Sequence, residues 1–289
     1  MKEIKQQTFT EERALFSSSD LSVFDCVFDV GESPLKESRN ITLSGDRFLW
    51  RYPLWYCKNI SADNCFFAEP ARAGIWYSDS VTVRNSLVES PKSFRRCHDL
   101  VLENLSFSSC PETLWDCDGV KLRNVTAGGD YFALNSRNME ADNLSLTGKY
   151  AFDGVRNVTI RNSKLITKDA FWNSENVTVF DSVIVGEYIG WNSKNLTLIN
   201  CTVESLQGLC YIDNLVMKNC KLDGTTLAFE YSTLDADIST KVDSVLNPCG
   251  GIIRAGEIGE LILERDRIDP GKTKIVCREI GKTSDRLVW

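Results

Sequence analysis

The residues that could carry chemistry fall into columns when the chain is aligned on itself. Tryptophans recur at spacings close to nineteen residues or its multiples, and tyrosines and asparagines recur beside them. Extended sugar chains stack on aromatic faces of this kind, so these columns predict a carbohydrate-like ligand. The candidate ligand-binding residues are Trp76, Trp115, Trp172, Trp191, Asn135, Asn173, Asn192, Tyr131, Tyr150 and Tyr188.

Two carboxylates and an arginine in the same columns are the candidates for catalysis. Asp116 and Asp153 occupy adjacent columns two repeats apart, which is roughly 10 Å in a stacked β-fold. Inverting glycosidases separate their carboxylates by about that distance. A hydrolase could use the aspartates, and a lyase could use Arg95 as its base. The alternative is that Arg96 and Asp116 form a surface ion pair worth under about 1 kcal/mol.

A repeat of about nineteen residues must position these columns. It begins near Leu21 and keeps its register to Leu234, with clear copies at 157–163, 176–182 and 195–201. Each copy alternates apolar and polar residues, as a strand with one buried face does. Asn, Asp or Gly flank most of these strands and tolerate left-handed corners, where stacked asparagine side chains can also bond to each other. Short strands stacked copy on copy, without a helix in any copy, predict a parallel β-helix.

The pattern over about residues 15–240 resembles the single-stranded right-handed parallel β-helix proteins of the pectin-lyase-like group. More narrowly, it resembles an uncharacterised bacterial family of β-helix proteins. The resemblance implies an all-β solenoid of about twelve short rungs. We expect one domain, with residues 1–20 as an N-terminal cap, 21–240 as the repeats, and 241–289 as C-terminal rungs and cap. The left-handed hexapeptide helices are the alternative, but their internal six-residue repeat is missing here.

The sequence leaves open which way the tryptophans point. The residue before each position of the tryptophan column is also apolar in most copies, and neighbours in a regular strand face opposite sides. Arg95 and Asp153 share the tryptophan column and favour an exposed column. Small residues two positions earlier, at Gly74, Thr113 and Ala170, favour a buried one. If the tryptophans were buried, the exposed apolar column would indicate a protein partner.

Composition excludes several kinds of function. The net charge of −7 gives no broad basic surface for nucleic acid. No apolar run approaches the length of a membrane span. A single histidine and the absence of a Cys-x-x-Cys pair argue against a structural zinc site, and no cofactor motif is present. The eleven cysteines read as core residues, and the start of the chain lacks an apolar signal segment, so we expect a cytoplasmic protein.

The leading hypothesis is therefore a binding module that holds a carbohydrate-like or protein ligand on its aromatic and polar side. The alternatives are an intracellular polysaccharide hydrolase or lyase, and a structural scaffold that stacks end to end.

Overall fold

The computed structural model describes residues 2–109 and 111–286 and shows an all-β parallel solenoid. The chain divides into two compact units, unit 1 from Met1 to Thr147 and unit 2 from Gly148 to Trp289. Helical structure in the described ranges is limited to two short 3-10 turns, Glu69–Ala71 and Pro270–Lys272. No helix in these ranges is long and apolar enough to cross a membrane.

Unit 1 is built from short strands that pair in parallel with the strand one turn away. Val81 pairs with Leu100, and Leu100 pairs with Val120, so the predicted repeat register is confirmed here. The strands are β1 Lys2–Lys5, β2 Thr8–Phe9, β3 Ser19–Phe24, β4 Val27–Phe28, β5 Arg39–Ser44, β6 Arg47–Phe48, β7 Leu54–Trp55, β8 Lys58–Asp63, β9 Phe66–Phe67, β10 Ile75–Trp76, β11 Asp79–Arg84, β12 Leu87–Val88, β13 His98–Phe107, β14 Asp118–Gly128 and β15 Arg137–Lys149.

Unit 2 repeats the same construction. Val158 pairs with Val177, and Val177 pairs with Leu196, again in parallel and one repeat apart. The strands are β16 Arg156–Arg161, β17 Lys164–Lys168, β18 Glu175–Phe180, β19 Val183–Val185, β20 Lys194–Ile199, β21 Thr202–Glu204, β22 Asp213–Leu222, β23 Thr233–Ile238, β24 Lys241–Leu246, β25 Gly250–Arg254, β26 Glu257–Ile262, β27 Thr273–Val276 and β28 Ile280–Ser284.

The solenoid has about fifteen turns, more than the predicted twelve. The additional strands lie in the segments that the sequence assigned to the two ends. In unit 1, β1 pairs with β3 before the first predicted copy. In unit 2, β25 pairs with β23, and β27 pairs with β25, after the last predicted copy. The sequence predicts rungs within residues 241–289, whereas it predicts only a cap for residues 1–20. These strands lack the asparagine-flanked pattern of the middle copies, so the count of twelve does not include them.

Each turn closes through corners whose residues have left-handed backbone angles. Around β18 these residues have φ between 49° and 63°; they are Asp169, Phe171, Asn173, Asn176 and Asp181. Asn and Asp tolerate this region better than other residues with a side chain. This explains why the sequence flanks the strands with them, as predicted. Phe171 is the unusual member, and its complete burial offsets the cost of its backbone angle.

Asparagine side chains at the corners bond to one another from turn to turn, as expected from their stacking in the sequence. In unit 2, Asn176 Nδ2 donates to Asn157 Oδ1 at 3.0 Å, and Asn195 Nδ2 donates to Asn176 Oδ1 at 2.8 Å. Asn214 continues this ladder by donating to Asn195 at 2.8 Å. The ladder lies at the surface, so burial does not account for its asparagines. The left-handed backbone angle and the side-chain hydrogen bonds both favour asparagine at these positions.

Replacing Asn176 by alanine should lower the free energy of unfolding by about 1–2 kcal/mol, since alanine tolerates the left-handed angle poorly and makes neither ladder bond. Asn176→Gly removes the same two bonds without the backbone penalty and should cost roughly 1 kcal/mol less than alanine. Urea denaturation followed by circular dichroism measures both variants. Equal loss in the two would show that the corner angle contributes nothing.

The cysteines pack as small apolar residues. Cys57, Cys97 and Cys117 are buried in unit 1, and each thiol lies 3.1–3.4 Å from the carbonyl oxygen of a residue in the preceding turn. Burial raises the pKa of the Cys57 thiol to about 12. Thiols in such surroundings are poor nucleophiles, so these cysteines serve in packing rather than as reactive groups.

Candidate functional site

The tryptophan column faces outward. Phe171 is 0% exposed whereas the neighbouring Trp172 is partly exposed, and Leu114 and Trp115 show the same contrast. The small residue Ala170 is buried beside Phe171 because the left-handed angle of Phe171 breaks the strand alternation. The small residues two positions before the tryptophans are therefore buried, as the sequence suggested, but the tryptophans themselves are not.

In unit 1 the exposed column is a closed stack of side chains. Trp55 stacks on Trp76 with ring centroids 5.1 Å apart and planes 4° apart. The Arg95 guanidinium lies between Trp76 and Trp115, at 4.6 and 4.3 Å from the two ring centroids. Arg95 also pairs with Glu112 at 3.1 Å. The ring faces along this column are thus covered by the neighbouring side chains.

The indole N–H groups of the unit 1 column also form hydrogen bonds with backbone carbonyl oxygens. Trp55 Nε1 donates to the carbonyl oxygen of Ala73, and Trp76 Nε1 donates to that of Lys92, both at 2.6 Å. Trp115 Nε1 donates to the carbonyl oxygen of Tyr131 at 2.7 Å. Each bond fastens a tryptophan to the corner of the following turn. Trp76, Trp115 and Tyr131 therefore brace the scaffold, and a binding role for them stays a prediction.

The three candidate catalytic residues are separated between the units. In unit 1, Arg95 is held by two rings and Glu112, and the exposed Asp116 pairs with Arg96 at 3.8 Å, as the surface ion-pair alternative predicted. In unit 2, Asp153 accepts a hydrogen bond from Asn173 at 3.3 Å, and partial burial raises the pKa of its carboxyl. A catalytic role for the three remains a prediction.

The candidate asparagines lie at exposed corners. Asn135 has φ of 54° in unit 1. In unit 2, Asn192 Nδ2 donates to Asn173 Oδ1 at 2.7 Å, and Asn173 donates in turn to Asp153. Asn173 and Asn192 thus form a short polar ladder that ends on a carboxylate.

Unit 2 has an open pocket on the aromatic side with a volume of about 360 Å³. Tyr150 stacks beside Trp172 at 6.2 Å, and Tyr188 meets Trp191 edge-on at 5.6 Å. Its lining residues are Tyr150, Lys168, Asp169, Trp172, Tyr188 and Trp191. The structure brings four of the predicted ligand-binding residues together here, and it adds Lys168 and Asp169.

The tryptophans of this pocket differ from those of unit 1 in their hydrogen bonding. Within the part of the chain that the structure describes, neither Trp172 nor Trp191 donates its indole N–H to another residue. Both donors are therefore available to a bound molecule. Asp153 stands at the tryptophan position one turn before Trp172, so within unit 2 a carboxylate replaces an indole at that place in the column.

Asp169 is the unexpected member of the pocket. The residue is only 4% exposed, yet its carboxylate accepts no hydrogen bond from the residues in ranges 2–109 and 111–286. Burial raises the pKa of the Asp169 carboxyl, and the adjacent Lys168 ammonium partly opposes this. Lys168 pairs with Glu187 at 2.8 Å and lies 5.1 Å from the Tyr188 ring.

A sequence signal for Asp169 did exist. It occupies the column in which Tyr131, Tyr150 and Tyr188 recur, so an aspartate interrupts a run of tyrosines. In the described ranges, no group of three His, Cys, Asp or Glu side chains is arranged to hold a metal ion. The pocket offers aromatic rings, two indole donors, one ammonium and one buried carboxylate, which suits binding of a polar organic molecule.

Comparison with protein families assigns the chain to one family. The family model described as "Protein of unknown function (DUF3737)" matches residues 2–276. The chain belongs to this family. The comparison with curated proteins gives no match. The description of this family names no activity.

Several solved β-structures are similar to this member of the DUF3737 family at low identity. The mannuronan C-5 epimerase AlgE4 A-module of Azotobacter vinelandii is 12% identical with a TM-score of 0.35, over 98% of this chain and 87% of that one. The Streptococcus pneumoniae surface adhesin PfbA is 9% identical with a TM-score of 0.36, over 97% and 84%. The tailspike of Escherichia coli bacteriophage HK620, solved with a pentasaccharide, is 12% identical with a TM-score of 0.34, over 91% and 61%. At such scores these likenesses carry no argument about a ligand.

Proposed function

We propose that this protein is a binding module whose unit 2 pocket holds a sugar unit of a carbohydrate-like ligand. The observation that carries the proposal is the grouping of Trp172, Trp191, Tyr150 and Tyr188 around one open pocket, with two indole N–H groups that donate to none of the described residues. The aromatic column of unit 1 lacks this combination, because its indole N–H groups bond to backbone carbonyl oxygens. Ring stacking occurs in both units, since Trp191 also lies 4.6 Å from the Tyr211 ring.

The pocket has the two kinds of contact that a sugar requires. Tryptophan and tyrosine rings provide apolar faces, and their N–H and O–H groups provide polar edges. A small-molecule site combines such apolar walls with a few well-placed polar groups. The turns of the solenoid are about 4.8 Å apart, which is close to the length of one hexose. Trp172 and Trp191, one turn apart, are therefore spaced to meet consecutive units of a chain.

Replacing Trp172 by alanine should weaken binding of an oligosaccharide by at least about ten-fold, since one wall of the pocket is lost. A glycan array would identify a binding oligosaccharide, and isothermal titration calorimetry would compare wild type and variant. Thermal melting checks that the variant is folded.

Trp115→Ala is the matched control, because it removes an equivalent partly exposed tryptophan from unit 1. We expect its affinity for the same oligosaccharide to stay within about two-fold of wild type. A protein that binds no glycan on the array, or one that loses binding on Trp115→Ala but not on Trp172→Ala, would refute the assignment to this pocket. In the first case a protein ligand becomes the better hypothesis.

A further inference from the structure

We propose that the sugar held by this pocket carries a protonated amine, as in an oligomer of glucosamine, and that its ammonium group binds Asp169. This inference rests on the proposed carbohydrate-binding function and specifies the chemical class of the ligand. Asp169 lines the pocket, is almost wholly buried and lacks a hydrogen-bond donor among the described residues.

Asp169 is 4% exposed, but its carboxylate oxygens are not among the fully buried polar atoms that lack a partner, so they keep contact with solvent at the pocket. A carboxylate with so little exposure and no donor among the described residues takes its hydrogen bonds from water or from a ligand in the pocket. A charged donor satisfies a carboxylate better than a neutral one, because hydrogen bonds between ionised groups are roughly twice as strong. An ammonium group therefore suits Asp169 better than a hydroxyl or an amide.

The charges that face Asp169 favour a cation as well. The neighbouring ionisable groups are Lys168, which directly precedes Asp169 in the chain, and Glu187 and Asp153 on the adjoining turns of unit 2. Lys168 already pairs with Glu187 at 2.8 Å, so its charge is largely compensated. Counting Asp169, three carboxylates stand against one ammonium, and a cationic ligand reduces this excess.

The walls of the pocket add a second attraction for a cation. Aromatic faces attract positive charge through their quadrupole, by about 0.5–2 kcal/mol according to exposure. The protein already uses this attraction at the pocket, since the Lys168 ammonium lies 5.1 Å from the Tyr188 ring centroid. Trp172 and Trp191 present further rings to a ligand in the same space.

The test compares two oligosaccharides of equal length that differ only at the amino nitrogen, which is a free amine in glucosamine oligomers and an acetamide in N-acetylglucosamine oligomers. At about pH 6 the free amines are largely protonated, whereas the acetamides are neutral. Calorimetric titration of the full chain should show the glucosamine oligomer binding at least ten-fold more tightly. Asp169→Asn should reduce this preference to within about two-fold, and asparagine tolerates the left-handed angle of this position.

Asp181→Asn is the matched control, since it removes one negative charge from an exposed left-handed corner of the same unit. It should leave the preference for glucosamine unchanged, whereas a general electrostatic effect would reduce it equally. Melting temperatures of both variants report whether folding is preserved.

The outcomes separate this inference from the proposed function. If neutral oligosaccharides bind at the Trp172 pocket as tightly as glucosamine oligomers, or if Asp169→Asn keeps the preference, the cationic ligand is refuted while carbohydrate binding stands. If neither these oligomers nor any glycan on the array binds, both proposals are wrong.

Discussion

Replacing Phe48 by alanine is expected to lower the free energy of unfolding by about 3–5 kcal/mol. Phe48 is 0% exposed and lies between Phe28 and Phe67, with both pairs of ring centroids 4.8 Å apart. The interplanar angles are 3° and 13°, so the rings form a continuous stack. Truncation removes the transfer free energy of the ring, breaks two stacked pairs and leaves a cavity that the strands above and below cannot fill. Urea denaturation at constant temperature measures the loss.

Phe16→Ala is the control for this prediction, because Phe16 belongs to the same unit but is 40% exposed. It should cost under about 1 kcal/mol, as is usual for surface substitutions. In a repeat protein each turn contacts only its neighbours, so the weakening should be local. Hydrogen exchange should therefore quicken most in β4, β6 and β9. Similar losses for Phe16 and Phe48 would show that the stack is not the core of this region.

Replacing Asp46 by serine should remove a pH-dependent loss of stability from unit 1. Asp46 is 0% exposed and stands in a buried column that elsewhere holds cysteine, serine, leucine or valine. Its carboxylate accepts hydrogen bonds from the backbone N–H of Cys26 at 2.8 Å and of Ser44 at 3.0 Å. Ser86, at the equivalent place, accepts from the backbone N–H of Cys65 at 2.9 Å, so a serine fits this column.

The direction of the pH effect follows from the pKa of Asp46. Burial raises that pKa from 3.8 to about 6, in spite of the two backbone donors. Between these values the folded chain binds a proton more tightly than the unfolded chain does, so stability falls as the pH rises from about 4 to about 6. A shift of this size corresponds to at most about 3 kcal/mol. The destabilisation then persists above pH 6.

The measurement is the free energy of unfolding of wild type and Asp46→Ser at several pH values from about 4 to 8. The variant should gain stability relative to wild type as the pH rises, and the gain should level off above about pH 6. Asp20→Asn, at an exposed left-handed corner of the same unit, serves as the control and should not change the pH profile. A wild-type profile that stays flat over this range would mean that Asp46 is not a buried acid.

Much of the fold follows from the sequence because each position of the repeat is constrained mainly by the equivalent position one turn away. An apolar anchor such as Val158 must pair with the anchor one turn later, since any other register would expose its buried face. Asparagines such as Asn176 mark the corners because few other residues accept the left-handed angle. Period and corner residues together determine a parallel β-solenoid, and the parallel pairing of Val158 with Val177 confirms it.

The candidate site follows from the sequence only in part. Trp172, Trp191, Tyr150 and Tyr188 stand out as aromatic members of columns, and they do line one pocket. The same reasoning gave equal weight to Trp76 and Trp115, whose indoles prove to be tied to backbone carbonyls. Column position is the same in both cases, so it cannot distinguish a bracing tryptophan from an available one.

What the sequence determined by itself is the period, the strand faces and the corners, because these depend on a residue and its neighbour one turn away. The tertiary structure alone decided that Trp172 faces outward, since the left-handed angle of Phe171 breaks the alternation on which the sequence argument relied. It alone also showed that Asp169 is 4% exposed and lacks a hydrogen-bond donor among the residues that the structure describes. Burial and hydrogen bonding at that position depend on side chains from three turns at once, and no single column contains them.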